Sequence, residues 1–432
     1  MTPKPEVARF LAALDATQYL DAAGMGAYQR RLLEKLLRHA RAATAFHADR
    51  LAPVFAADGG IDWERWGEIP IMTRRDVQDN YDALLARTLP GLAGDIDADT
   101  SSGSTGTPIR HVTTGIQDMA TACASERFFR WHGIAPDRLT VRIVATRAPE
   151  AVTPHGRRKP GWRIGHPDSV ALDLNIRTPI EEQLAFLDAK RPAYLMTYPT
   201  NFRELARLAE AKGRRLSFEA VLTVGEMMSE EVRREIAVHY GRSPADRYGA
   251  SEIGHIAATC PECNAHHIAA ELVLIEIVDE SGRPVAPGSP GRVVGTSFYS
   301  LAMPFIRYDI GDYATLAEAP CACGRTLPVI ARILGRTRNV FRFIDGSRVW
   351  PVLYSGDLNG FVPNRQYQVV QHTLTDVEFR YVPAGNGGSD LAGLTAYMRD
   401  KLHPSIEVRA TAMPAIPRSA GGKYEDYLSL VG

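Results

Sequence analysis

From residue 139 onward, short β-rich runs (139–146, 193–198 and 220–225) alternate with segments of helical pattern. That alternation most constrains the fold, because strands joined by helical crossovers pair in parallel and build an α/β sheet. The third run ends at Gly225-Glu226, and the helix after it is signalled by Ser229 as N-cap, by Val232, Ile236 and Tyr240 along one face, and by Gly241 as its stop. In an open α/β sheet the strand C-termini and helix N-termini share one crevice, so a binding site is expected beside Glu226.

The opening 100 residues read as helical scaffold, with Tyr28, Leu32, Leu36 and Leu37 at the spacing of an amphipathic face. After residue 270 two β runs, 272–278 and 292–298, flank a turn-rich stretch and read as an antiparallel pair. Beyond Gly335 the α/β rhythm gives way to short strands, a Gly-rich loop at residues 386–388 and one helix at 391–402. A chain of 432 residues exceeds what one core serves. The expected organisation is therefore a large α/β domain over residues 1–336 with several subdomains, followed by a small, mobile α+β domain over 337–432.

Fifty Lys and Arg balance fifty Asp and Glu. No basic field exists to hold a polyanion, which disfavours nucleic acid and favours a small-molecule partner. Residues 1–20 carry Lys4, Glu6, Arg9 and Asp15 in place of a signal-peptide core, and no apolar run approaches the length of a membrane span. The cytoplasm is the expected compartment. Five cysteines do not make a disulfide framework; four fall in two close pairs, which in a reducing compartment suggests metal, while Cys123 reads as helix interior.

Residues 100–108 read Thr-Ser-Ser-Gly-Ser-Thr-Gly-Thr-Pro. Its glycines let backbone N–H groups approach an anion and its hydroxyls donate further hydrogen bonds, so the loop suits polyphosphate. It lacks the Gly-Lys-Ser/Thr ending of a P-loop, and a Ser/Thr/Gly run alone is more often a plain loop. Three later segments add weight: Tyr248-Gly249-Ala250-Ser251-Glu252, then Phe305-Ile306-Arg307-Tyr308-Asp309-Ile310-Gly311-Asp312, then Ser419-Ala420-Gly421-Gly422-Lys423.

In order and content these four motifs resemble the adenylate-forming superfamily of acyl-CoA synthetases and adenylation domains. The nearest likeness is to its phenylacetate-CoA ligase-like branch. Leu36-Leu37-Arg38-His39-Ala40, the stretch Ile69-Pro70-Ile71-Met72-Thr73-Arg74-Arg75-Asp76, Cys323-Gly324-Arg325-Thr326 and Ile333-Leu334-Gly335-Arg336 extend that likeness over nearly the whole chain.

The resemblance implies a task for each motif. Ser101, Ser102, Gly103, Ser104, Thr105, Gly106 and Thr107 would hold the β- and γ-phosphates of ATP and offset the charge of departing pyrophosphate. Glu252 would give Mg²⁺ a carboxylate oxygen. Asp312 would accept the ribose hydroxyls, with Tyr248-Gly249 and Gly225-Glu226 flanking the adenine and Arg336 contacting the nucleotide. A carboxylate at a helix start is also favoured simply by the helix dipole, which is the plainer reading of Glu226. Lys423 would bridge the substrate carboxylate and the α-phosphate as the catalytic cation. The acid pocket would be lined by Tyr198, Pro199, Val224 and Ala250. Gly335-Arg336-Thr337-Arg338-Asn339 resembles the family's hinge, with Arg338-Asn339 where many members carry an Asp pair.

Cys260-Pro261-Glu262-Cys263 and Cys321-Ala322-Cys323 offer four thiolates on two tight turns, suited to a closed, structural Zn²⁺ site. Four cysteines are the simple donor set; relatives in the branch use a histidine in this region, which leaves His266 and His267 as alternatives. The expected reaction joins a carboxylic acid, aryl or arylacetic first, to AMP with release of pyrophosphate, then passes the acyl group to a thiol, coenzyme A first. Delivery to an amine or a carrier protein, adenylyl transfer without coenzyme A, and a silent nucleotide-binding scaffold are the alternatives. The oligomeric state is open, a dimer included.

Overall fold

The structure, a computed structural model, describes residues 4–100, 109–228, 230–336, 339–385, 388–419 and 422–431. Packing divides the chain into two compact units, each assembled from three segments. Unit 1 comprises Met1–Leu139, Arg158–Ala171 and Ala245–Ile333; unit 2 comprises Thr140–Arg157, Leu172–Pro244 and Leu334–Gly432.

Unit 1 is built on antiparallel strands. In spatial order they are Val273–Val278, Gly291–Ser297, Tyr308–Leu316, Val329–Arg336, His266–Ile268, Gly254–Thr259 and Ala245–Ala250. The two β runs expected to pair do so, with Val273 opposite Ser297 and Val278 opposite Arg292. Helices Pro5–Thr17, Ala22–Ala43 and Gly115–Trp131 cover this framework. In the second of these Leu36 and Leu37 are buried and Tyr28 packs against the core, as the heptad-like spacing requires. Cys123 lies inside Gly115–Trp131, and burial pushes its thiol up to about 12, so it behaves as a small core hydrophobe.

One polar knot holds the helices to the strands. Arg127 donates to both carboxylate oxygens of Glu271 at 2.6 and 3.1 Å and to the carbonyl of Leu14, and Thr17 Oγ1 donates to the same carboxylate. Both charged side chains are almost fully buried, 3% and 0% exposed. Removing one partner leaves a buried, unpaired charge, so Arg127→Met is expected to lower stability by about 3–5 kcal/mol, read as a shift of the denaturant midpoint at constant slope.

Unit 2 holds the parallel strands foreseen from the alternation: Thr140–Val144, Tyr194–Thr197 and Ala220–Val224 pair in parallel in that order. Helices Ile180–Lys190, Pro199–Ala211 and Glu230–Tyr240 accompany them. Val232 and Ile236 of the last helix are buried, and Gly241 adopts φ +85°, the left-handed stop that glycine favours; the proposed cap, Ser229, lies outside the described residues.

The remainder of unit 2 carries its own core. Strands Glu407–Ala412, Asp376–Pro383, Asn364–Gln371 and Tyr427–Ser429 form a four-stranded mixed sheet, with helices Ser355–Phe361 and Leu391–Lys401. Phe341, Phe343, Leu353, Tyr367, Phe379 and Met398 fill the space between them. Among the described residues no helix is long and apolar enough to cross a membrane.

Candidate functional site

The predicted site residues fall in both units, and each group is described within its own. In unit 1 the phenol of Tyr248 donates to Asp312 Oδ2 at 2.7 Å. Their strands, Ala245–Ala250 and Tyr308–Leu316, are separated by three others in the sheet order. On a flat sheet four spacings of ~4.8 Å would hold them ~19 Å apart, beyond the reach of a tyrosine. The antiparallel sheet therefore curls until these two strands face each other, and the meeting point is where the Tyr-Gly and Gly-Asp motifs sit.

The loop after Tyr248 is tight. A Cβ on Gly249 would lie 2.6 Å from the carbonyl oxygen of Gly254, so the chain can double back here only with glycine. Between them, the Glu252 side chain is 8% exposed, with the Arg74 guanidinium 3.9 Å away. Arg74 opens the helix Arg74–Asp79, which a capping box sets in place: Thr73 Oγ1 accepts from the Asp76 N–H, and the Asp76 carboxylate accepts from the Thr73 N–H. The segment is tied to the Asp312 strand by Met72 N–H to Arg307 O and Asp309 N–H to Met72 O, each 2.8 Å. Tyr308 faces Glu252, and burial together with that carboxylate raises its phenol well above the ordinary range. A buried carboxylate such as Glu252 can bind a metal ion, and a carboxylate such as Asp312 can accept polar hydroxyls.

Arg307, in the same motif, is structural. Its guanidinium donates to the carbonyls of Gly67, Ile69 and Gly282 and pairs with Glu276 at 3.2 Å, while its backbone adopts φ +48°. Those bonds hold the N-terminal segment against the Asp312 strand.

In unit 2, Tyr198, Pro199, Val224, Gly225, Glu226, Arg336 and Lys423 are described. Tyr198 and Val224 share one apolar cluster, and Tyr198 Oη accepts from the N–H of Ala145 at 3.1 Å. Gly225 turns at φ +80°, where a Cβ would lie 2.9 Å from the Tyr198 ring. The Glu226 carboxylate accepts from the N–H and hydroxyl of Thr200 (3.2 and 2.7 Å) and from the N–H of Tyr424 (2.5 Å). Burial raises its carboxyl above the ordinary range, against the pull of Arg418.

Lys423 is half-buried in a closed loop: Ser419 N–H donates to Lys423 O (2.8 Å) and Lys423 N–H to Ser419 Oγ (3.1 Å). Gly335 of the proposed hinge has φ +134° and lies between Met227 and Trp350, each 3.4 Å from a Cβ placed there. Residues 101–107, Ala420, Gly421 and Arg338 lie outside the described residues.

A third cluster lies in unit 1. The ligand atoms of Cys260, His267, Cys321 and Cys323 are all within 4.8 Å of one another. Cys321 Sγ is 3.7 Å from Cys260 Sγ, and Cys323 Sγ is 3.3 Å from His267 Nε2. A tetrahedron with Zn–S of ~2.3 Å has S–S edges of ~3.8 Å, so the spacing fits. His267 Nδ1 points at the Leu327 carbonyl (3.3 Å), the outer bond that orients a ligating imidazole. Cys263 is exposed and stands outside this four-donor group, though its Sγ lies 3.1 Å from Cys321 Sγ. His266 turns away and meets Asp246 at 2.9 Å.

Sequence reasoning gave no role to Arg74 beside Glu252 or to Glu204 near Arg418. Arg74 stands inside the Thr-x-x-Asp capping box, which was readable; Glu204 is brought in only by folding.

No family model matches the chain. Among solved structures, 2-hydroxyisobutyryl-CoA ligase in the postadenylation state with 2-HIB-AMP superposes with a TM-score of 0.73 at 17% identity, covering 96% of this chain and 91% of that one. ATP-bound MatB from Rhodopseudomonas palustris gives 0.54 at 16% identity over 75% and 65%. The fold is that of these CoA ligases. In sequence the chain is similar to phenylacetate-coenzyme A ligase of Thermus thermophilus, 30% identical over 283 residues that cover 58% of this chain and 63% of that one. The chain thus spans less than two thirds of the curated relative it matches.

Proposed function

We propose that the protein activates a carboxylic acid with ATP, forming an acyl-AMP and pyrophosphate, and then transfers the acyl group to coenzyme A. The observation that carries this reading is the Tyr248–Asp312 hydrogen bond, which joins two of the motifs across 64 residues of sequence, with Glu252 buried four residues after Tyr248. In this reading Asp312 accepts the ribose hydroxyls while Tyr248 holds the carboxylate's other face. Glu252 gives an oxygen to Mg²⁺, which neutralises phosphate charge when bound. Residues 101–107 donate to the β- and γ-phosphates, Gly225 and Glu226 border the nucleotide, and Arg336 contacts it.

No side-chain nucleophile is required: the acid's own oxygen attacks the α-phosphorus, pyrophosphate leaves, and Lys423 neutralises the two anions as they approach. An aryl or arylacetic acid fits the relative at 30% identity, with Tyr198, Pro199, Val224 and Ala250 as its pocket walls. Residues 337–432, with a core of their own, form the small mobile domain, turning about Gly335 for the thioester step. The Cys260, His267, Cys321 and Cys323 group holds Zn²⁺ in a filled, structural shell, and the cytoplasm is the site of action.

A panel of aryl, arylacetic and short aliphatic acids, assayed for pyrophosphate release with and without coenzyme A and followed by mass spectrometry, tests the reading. An acyl-CoA product supports it; an acyl-amine, an acyl-carrier or an AMP-bearing end product redirects it, and no turnover with any acid removes it. Asp312→Asn should raise the KM for ATP about 10–100-fold, the worth of hydrogen bonds to a charged acceptor, with melting temperature unchanged.

A further inference from the structure

The closed loop that carries Lys423 has two stems, Arg418 before it and Tyr424 after it, and both end on one carboxylate. Glu226 Oε1 accepts the Tyr424 N–H and lies 3.6 Å from Arg418 Nη1, while Oε2 takes the N–H and hydroxyl of Thr200. The Glu226 side chain is 3% exposed. Arg418 continues to Glu204 Oε2 at 3.1 Å, and two residues past Tyr424 the Asp426 carboxylate meets Arg203 at 2.6 Å.

Thr200, Arg203 and Glu204 are spaced i, i+3 and i+4 on the helix Pro199–Ala211, so they form one face. Inside the loop, Gly422 (φ +72°) sits so close to Ile176 that a Cβ would lie 2.6 Å from its methyl. Every one of these contacts lies within unit 2.

We infer that Glu226, with Thr200, Arg203 and Glu204, is the latch that positions the Lys423 loop for the adenylation step and must let go before the thioester step. The inference rests on the acyl-adenylation reading for the role of Lys423, and gives Glu226 a duty apart from bordering the nucleotide. Glu226 is a positioning residue, since it acts through the loop. Only a carboxylate serves: the Thr200 N–H, the Tyr424 N–H and Arg418 are all donors, and an amide would set its own NH₂ against at least one of them. The loop's stems are held by hydrogen bonds and ion pairs made by the Tyr424 N–H, Arg418 and Asp426, beside the Gly422–Ile176 contact, and these part when the small domain turns.

The test is Glu226→Gln in the full chain, with three readouts. Adenylation is measured as pyrophosphate release without coenzyme A, using the acid the wild type turns over fastest. The thioester step is measured from that acid's chemically prepared acyl-AMP plus coenzyme A. Hydrogen exchange is followed at the Tyr424 amide, with the 367–371 strand as internal reference. The latch predicts that adenylation falls at least tenfold more than the thioester step, and that exchange at Tyr424 speeds up at least tenfold while the reference strand is unchanged. A parallel fall in both half-reactions, or unaltered exchange at Tyr424, overturns it. If the wild type releases no pyrophosphate with any acid, the acyl-adenylation reading fails, and the latch is then decided by the exchange readout alone.

Discussion

Lys423→Ala should lower the rate of acyl-AMP formation by about 10²–10³-fold, the usual cost of removing one preorganised charge from a transition state. ATP affinity should change little, because phosphates, ribose and adenine are assigned to other residues. The loop itself should survive: the Ser419–Lys423 bonds use the lysine backbone and the Ser419 hydroxyl, and its stems are held by Glu226, Glu204 and Arg203. The check is single-turnover pyrophosphate release alongside equilibrium ATP binding. Unchanged adenylation in the variant removes Lys423 from the chemistry, and a parallel loss of ATP binding makes it a nucleotide ligand.

Cys321→Ser should lower zinc content and stability together. Cys321 comes from the loop between Tyr308–Leu316 and Val329–Arg336, whereas Cys260 and His267 come from the strands Gly254–Thr259 and His266–Ile268 or the turn between them, so a shared ion closes a long loop against a strand pair. Losing a metal belongs with the mutations that cost about 4 kcal/mol or more, and for a unit of this size that is a fall of roughly 10 °C in Tm. Cys260 lies only eight residues after Glu252, so the loosened turn should disturb the Glu252 loop as well. Cys263→Ser makes the contrast: its thiol is exposed and outside the four-donor group, and that variant should keep its zinc. Full metal and a normal melt in Cys321→Ser, or loss of metal in Cys263→Ser, would contradict this donor set.

The parts legible in the sequence were those where chemistry restricts residue type locally. Three β runs became three parallel strands within a residue or two, since apolar runs bounded by turn residues have few other fates. Of the seven sheet strands ordered above, only the pair flanking the turn at 279–284 was foreseen. Short strands such as His266–Ile268 carry too few residues to show a period. The two units each interleave three stretches of chain, and no composition shift marks where a chain leaves one core for another.

The choice between His266 and His267 illustrates the limit well. Both stood beside the cysteines in sequence, yet successive strand residues point to opposite faces, so one imidazole reaches Cys323 and the other must take Asp246. Glu226 is the converse case. Its place at a strand end was readable, but its partners at Thr200, Arg418 and Tyr424 lie 26 to 198 residues away, where no local pattern reports them.

The central claim is that an oxygen of the bound acid attacks the α-phosphorus of ATP. The acid most active in the panel, labelled with ¹⁸O in both carboxylate oxygens, should be turned over with ATP and coenzyme A and the nucleotide product weighed by mass spectrometry. AMP carrying one ¹⁸O is the result this account predicts; unlabelled AMP, or ADP with labelled phosphate, would contradict it.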